Sequence, residues 1–279
     1  MKWQKMHPFT IVFIYLLLVY ICANIIHMEY KTGTNINLLF SQPQNTVITV
    51  KGLTAAGVTH AQILRFEKAD ILKRLNTGAY ARFNENPDIL GAIYSLQNDL
   101  KLTAHIGGRT ALSLVYGKTQ YAAERKSELF CYKQEKLPAW FKSVYADSYT
   151  QFMTDFLPEK EGLTEWEHAG YRILVSSQER ALLEMLYQVP GTVTPQEAFE
   201  ILQLITAIKP AVMQKLLESC KSVKAKRLLL CFAELCGHQW FSRLKIENID
   251  LGSGKREIAN GGKLYTKYNL VLPEGLETL

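Results

Sequence analysis

The sequence predicts an α+β protein built as two successive domains, and three observations carry that prediction. Between residues 49 and 83 two short capped helices run straight into a hairpin pattern; several segments of the second half keep apolar residues at helical spacing; and alternating, turn-bounded runs recur from ELFCYK to the C-terminus. The 279 residues are 48% hydrophobic and 21% charged, enough apolar material for one or two cores and too little charge for a disordered chain. The expected division is an apolar leading segment at 1–27, a helix-helix-hairpin domain at 28–86 and a mixed α+β domain at 87–279.

In the first of these domains, residues 35–40 read as a short amphipathic helix stopped by SQPQN, whose Ser, Pro and Asn favour turns. VITV is a brief β-branched run, and the Thr49 hydroxyl is placed to cap a helix reaching about Ala56. Gly57 turns the chain. Thr59 then caps a second helix, with Val58 just ahead of the cap, Ile63 and Phe66 facing inward, and His60, Gln62 and Arg65 facing outward. Two helices separated by about three residues that include a Gly have helix-turn-helix spacing. ILKRLNTGAYARF switches from helical period to alternation around an NTG turn, so the domain reads as a winged helix-turn-helix. In that layout the second helix meets base edges in a groove of duplex DNA while cations of the hairpin, the wing, meet phosphate. On periodicity alone, a small α+β domain with a solvated hairpin accounts for the pattern equally well.

The second domain opens with PDILGAIYSLQNDLKL, an amphipathic helix with Pro87 in its first turn, expected to link the two parts. TAHIGGRTALSLVYG reads as a strand, a double Gly and a helix beginning near Thr110; ELFCYK alternates as a strand, and LPAWFKS starts another element. Residues 145–170 give little signal. SSQERALLEMLYQVP is a helix with a Ser cap, and 197–208, 211–220 and 222–236 are three more, broken at Lys209-Pro210 and recapped at Ser222. IENIDLGSGKREIANGGKLYTKYNLVLP reads as three strands joined by Gly-rich turns.

The net charge is +6 with a pI near 8.9, which suits an acidic partner such as nucleic acid or an anionic membrane. From Lys209 onward twelve Lys and Arg face seven Asp and Glu, so the last quarter supplies most of that surplus. The five cysteines are odd in number and scattered, which speaks against a disulfide framework and for a reducing compartment. Cys231, Cys236 and His238 lack paired CxxC spacing, and helical residues five apart point about 140° away from one another, so no metal site is expected. Residues 11–26, IVFIYLLLVYICANII, are almost wholly apolar and follow Lys2 and Lys5. Three readings compete: a membrane anchor or uncleaved signal, a helix buried in the fold, or sequence upstream of a true start at Met28.

Motifs for catalysis are lacking. Gly252-Ser253-Gly254-Lys255-Arg256 lacks the first Gly of a Walker loop, the hydroxyl after Lys and the following helix, so hairpin turns with exposed cations describe it better. No paired acids follow a Gly-Ser as a two-metal nucleotidyltransferase requires, and no G-x-S-x-G elbow or H-E-x-x-H helix occurs. KSVKAKRLLLCFAEL sets Lys221, Lys224 and Arg227 at helical spacing beside an apolar face. With Lys255 and Arg256, they form a candidate basic surface for DNA or an acidic protein, the alternative being a solvated helix.

TGAYARF after the helix-turn-helix, HIGGRTALSLVYG, SSQERALLEML, KSVKAKRLLLCFAEL and IDLGSGKREIANGGKLYTKYNLVLP resemble, in order, the successive blocks of the AbiEi antitoxin family, regulators of type IV abortive-infection toxin-antitoxin pairs used in phage defence. The resemblance runs from about residue 35 to 273, and residues 1–27 have no counterpart in it. It implies a cytoplasmic, non-enzymatic protein without cofactor. Its winged helix represses its own operon at inverted repeats in the promoter, and its C-terminal domain opposes a nucleotidyltransferase toxin without a stable complex. Carried onto this chain, the DNA-reading candidates are His60, Gln62 and Arg65 on the helix capped by Thr59, with Lys73, Arg74 and Arg82 of the wing on phosphate. The alternatives are a sensor tethered to a membrane through 11–26 and an enzyme acting on nucleic acid.

Overall fold

The computed structural model describes residues 37, 39, 41–116, 126–259 and 261–276. The chain divides into two units, Met1–Asn86 and Pro87–Leu279.

In the first unit the order is β1 (Ile48–Thr49), α1 (Val50–Ala55), α2 (His60–Lys68), β2 (Leu72–Asn76) and β3 (Ala79–Arg82). Most of the helix expected at 35–40 lies outside the described residues, though Asn37, Leu39 and Ser41 are helical and Leu39 is buried. The Thr49 hydroxyl accepts from Gly52 N at 2.9 Å and starts α1. Gly57, at φ +88°, ends the turn, where Val58 N donates back to Leu53 O. Thr59 and Gln62 form a reciprocal capping box at the start of α2. The strands pair antiparallel in the order β1-β3-β2, with a bulge between Arg74 and Asn76. Leu39, Ile48, Leu53, Val58, Ile63, Phe66, Leu72 and Tyr80 make the core. The described strand-helix-helix-hairpin order is consistent with a winged helix-turn-helix.

The second unit opens with α3 (Ile89–Asn98), capped by Asp88, whose carboxylate accepts from Gly91 N. Pro87 therefore stands one residue before the cap, not in the first turn, and α3 packs on the sheet of its own unit and does not act as a linker. That sheet is five-stranded in the order β6-β5-β4-β8-β7, formed by β4 (His105–Ile106), β5 (Ser127–Tyr132), β6 (Tyr149–Thr154), β7 (Leu163–His168) and β8 (Tyr171–Ser176). Between β4 and β5 lies α4 (Gly108–Tyr116), and α5 (Ala139–Val144) carries the crossover from β5 to its parallel neighbour β6. Four helices follow: α6 (Gln178–Tyr187), α7 (Pro195–Leu204), α8 (Pro210–Ser219) and α9 (Val223–Leu235). The chain closes with β9 (Arg256–Glu257), β10 (Lys263–Tyr265) and β11 (Leu270–Leu272), in the order β10-β11-β9.

IENID, expected as a strand, forms a 3-10 turn at Ile246–Asn248. The backbone just before it has no strand partner: Lys245 N and O are both met by the Gln214 side-chain amide, at 2.9 and 3.1 Å. Gln97 does the same for β8, exchanging bonds with Leu174 N and O while also donating to Ala104 O.

The double Gly of HIGGR marks the most constrained place in this unit. The Glu184 carboxylate on α6 is fully buried and saturated: Oε1 faces Arg180 Nε (2.8 Å) and His105 Nε2 (3.1 Å), and Oε2 accepts from Ser176 Oγ (2.7 Å) and Gly108 N (3.0 Å). A Cβ on Gly107 would lie 2.1 Å from Glu184 Oε2 and 2.5 Å from the Phe130 ring, so only Gly lets the strand-to-helix turn approach this closely. The adjoining Glu128 accepts from Arg109 N and Nε, both at 2.7 Å, and Arg109 reaches on to Glu197 at 2.9 Å. Two carboxylates thus occupy the amide groups at the start of α4, where the helix dipole favours negative charge.

Burial alone would push the Glu184 carboxyl up, but Arg180, His105 and Ser176 more than offset it and hold it at about 2. Its folded value lies below its ordinary one, so the stability it contributes is complete above pH 4.5 and lost as pH falls towards 2. Replacing Glu184 with Ala leaves Arg180 buried without its acid. We expect unfolding free energy in urea at neutral pH to fall by about 3–5 kcal/mol, with the difference from the parent shrinking across that acid window; an unchanged urea midpoint would refute the central role given to this carboxylate.

Candidate nucleic-acid interface

Helical geometry sorts α2 into two sides. Ile63 and Phe66 are buried, while His60, Ala61, Leu64, Arg65 and Lys68 are exposed, Leu64 at 38% despite its apolar chain. Gln62 lies at the margin, and its Oε1 is occupied by Thr59 N and Thr59 Oγ1 at 2.9 and 3.0 Å. Thr59 and Gln62 therefore build the helix start, whereas His60 and Arg65 face solvent as expected. Leu64 and Lys68 were missed. The spacing that places Arg65 outward also places Lys68, three residues on, so the signal was available.

The wing cations part ways. Lys73 is exposed. Arg74 instead grips Glu67 of α2 through a two-pronged pair, Nε to Oε1 at 2.8 Å and Nη2 to Oε2 at 2.7 Å, with its guanidinium carbon 5.0 Å from the Tyr80 ring centre. Hydrogen bonding to Arg74 holds the Glu67 carboxyl below its usual range. Arg82 must be reassigned outright. Its side chain is 11% exposed and turned inward, donating to Leu39 O at 2.6 Å, to Gln42 O, to Pro43 O at 3.3 Å and to Glu85 at 2.8 Å. It ties the segment before β1 to the end of β3, with its guanidinium taken up by this chain's own carbonyls and Glu85.

The charge balance is accordingly narrower than composition suggests. Residues 41–86 carry six cations, Lys51, Arg65, Lys68, Lys73, Arg74 and Arg82, against Glu67, Asp70 and Glu85. Setting aside the pairs Arg74–Glu67 and Arg82–Glu85 leaves Lys51, Arg65, Lys68 and Lys73, all exposed, against Asp70.

The candidate basic surface of the second unit is not continuous, because two of its five cations turn inward. Arg227 is 2% exposed and donates to the carbonyls of Leu251 (2.8 Å), Gly252 (3.0 Å), Gly254 (2.6 Å) and Asn269 (3.4 Å). Lys224 is half-buried on the Tyr187 and Val189 carbonyls, and burial lowers its pKa. Lys221 pairs with Asp155 at 3.3 Å. The neighbouring Lys226, a cation by composition, is buried as well. Of the five candidates, Lys221, Lys255 and Arg256 are exposed, the last two on the loop before and within β9.

A family model described as "Transcriptional regulator, AbiEi antitoxin N-terminal domain" matches residues 33–123, and one described as "Transcriptional regulator, AbiEi antitoxin, Type IV TA system" matches 124–273. The chain belongs to the AbiEi antitoxin family. AbiEi proteins are transcriptional regulators that serve as antitoxins of type IV toxin-antitoxin systems. The junction between the two matched regions lies in residues outside those described, so the N-terminal AbiEi region takes in α3, β4 and α4 as well as the helix-turn-helix. Among curated proteins, no sequence matches this AbiEi chain. Its fold is similar to that of the RV2827C protein from Mycobacterium tuberculosis, whose crystal structure aligns over 85% of this chain and 89% of that one, with a TM-score of 0.56 and 14% identity. Such a likeness concerns the fold alone. Among the described residues no helix is long and apolar enough to cross a membrane, and residues 11–26 lie outside them.

The two wing cations Arg82 and Lys73 should separate cleanly in a stability measurement. Arg82→Ala strands buried carbonyls and Glu85, which costs about 1–3 kcal/mol, whereas Lys73→Ala at an exposed site stays within about 0.5 kcal/mol. Urea unfolding of the full chain monitors both; equal, negligible losses would return Arg82 to the surface.

Proposed function

We propose that this protein is an autorepressor that binds double-stranded promoter DNA bearing inverted repeats through its first unit, and that it opposes a nucleotidyltransferase toxin without a stable complex. In this reading it is a cytoplasmic binding protein and not an enzyme. One observation carries the DNA-binding part: α2 buries Ile63 and Phe66 and turns Arg65, Lys68, His60 and Leu64 outward, next to a hairpin that keeps Lys73 exposed. A helix of that kind offers hydrogen-bond donors and one apolar contact to base edges, and the hairpin offers charge to phosphate. Membership of a regulator family supports the same assignment.

Fluorescence anisotropy with the native promoter fragment and a scrambled duplex of equal length tests it. Arg65→Ala should cost roughly 1–3 kcal/mol on the promoter and far less on scrambled DNA. Lys73→Ala should weaken both alike and reduce the salt slope by about 0.9. If Arg65→Ala leaves the two duplexes bound as before, α2 does not read sequence. For the antitoxin part, co-expression with a nucleotidyltransferase encoded beside this gene should restore growth while affinity capture of one partner fails to retain the other.

A further inference from the structure

The pair between α2 and the wing does more than brace the fold. We propose that Glu67 withholds Arg74 from phosphate, cancelling one wing cation and so setting how tightly the first unit binds DNA of any sequence. This inference rests on the reading of α2 as the DNA-facing helix.

The geometry supports withholding over contact. Both oxygens of Glu67 are engaged by Arg74, the guanidinium lies over Tyr80, and Tyr80 is itself 2% exposed, so the arrangement is anchored on the core side of the wing. Glu67 and Arg74 keep 29% and 42% of their side chains exposed, so the pair sits at the surface and not inside. A carboxylate on that helix would by itself repel a phosphate chain. Paired, it presents no net charge, and neither does Arg74. Lys73, one residue earlier, is exposed and carries the wing's charge alone. An additional charge at Arg74 would add affinity for every duplex, because phosphate contacts carry no sequence information. The pair also fixes the spacing between α2 and β2, which a sequence-specific complex needs and a non-specific one does not.

Glu67→Gln removes the acid and frees the guanidinium. In salt titrations by anisotropy, the variant's advantage over the parent on scrambled DNA should grow roughly eightfold for each tenfold drop in salt, the effect of one added phosphate contact at about 0.9 in slope. The gain on the promoter should be smaller, since the spacing is loosened, so the ratio of promoter to scrambled affinity falls. The double variant Glu67→Gln with Arg74→Gln is neutral like the parent pair, and should return the scrambled-DNA slope to the parent value. A Glu67→Gln slope equal to the parent's, or weaker scrambled binding with unchanged melting, overturns the proposal while leaving the DNA-binding reading intact if Lys73→Ala still lowers the slope. Should the parent bind neither duplex, the reading itself fails and this inference goes with it.

Discussion

The second unit is organised around a single buried carboxylate. Glu184 sits where β4, β8, α4 and α6 converge, and each of its oxygens takes two partners from different elements. An unpaired charge in that position would be prohibitive, so the elements have to arrive together with their donors correctly aimed. That requirement explains residues which otherwise look arbitrary: a Gly at 107 because the carboxylate leaves no room for Cβ, a Ser at the end of β8, and an Arg one turn before Glu184 on the same helix. Glu128 repeats the arrangement one residue further along α4, taking Arg109 and leaving Glu197 to hold its far side.

The same economy governs the arginines throughout. Arg74, Arg82, Arg109, Arg180 and Arg227 all bridge one element to another through acids or carbonyls of this chain. Planar, permanently charged and rich in donors, guanidinium satisfies several acceptors at once, which an ammonium does less well. Net charge therefore overstates what the molecule offers to a polyanion. Among the described residues of the first unit, the exposed cations outside the Arg74–Glu67 pair are lysines with one exception, Arg65, which stands on the outward side of α2.

What the sequence made legible follows from this. Caps and turns are local, so Thr49, Thr59, Ser177 and Ser222 mark their helix starts, and the hairpin around Gly78 was readable from alternation and an NTG turn. β6 and β7 were not readable, because they are the two edges of the sheet: each is only half-buried, and LTEWEH alternates apolar residues with glutamates that face water. Of the candidate site, His60, Arg65 and Lys73 were legible from spacing. The fates of Arg74, Arg82 and Arg227 were not, since their partners are set by tertiary packing: Arg82 meets carbonyls some forty residues away in sequence, and nothing in ARF announces them.

Arg227 also changes what α9 contributes. The basic spacing of KSVKAKRLLLCFAEL looks like a surface stripe, yet its last cation, Arg227, is buried and holds the carbonyls of Leu251, Gly252, Gly254 and Asn269. Gly252 and Gly254 both adopt positive φ, so the loop turns sharply without side chains that would stiffen it, and the guanidinium supplies an anchor that its own sequence lacks. Lys255 and Arg256 leave that anchored loop pointing to solvent. In the structure, Arg227 of α9 holds the loop that presents Lys255 and Arg256. The basic motif and the glycine motif, which looked like separate features of the sequence, are two halves of one structural device.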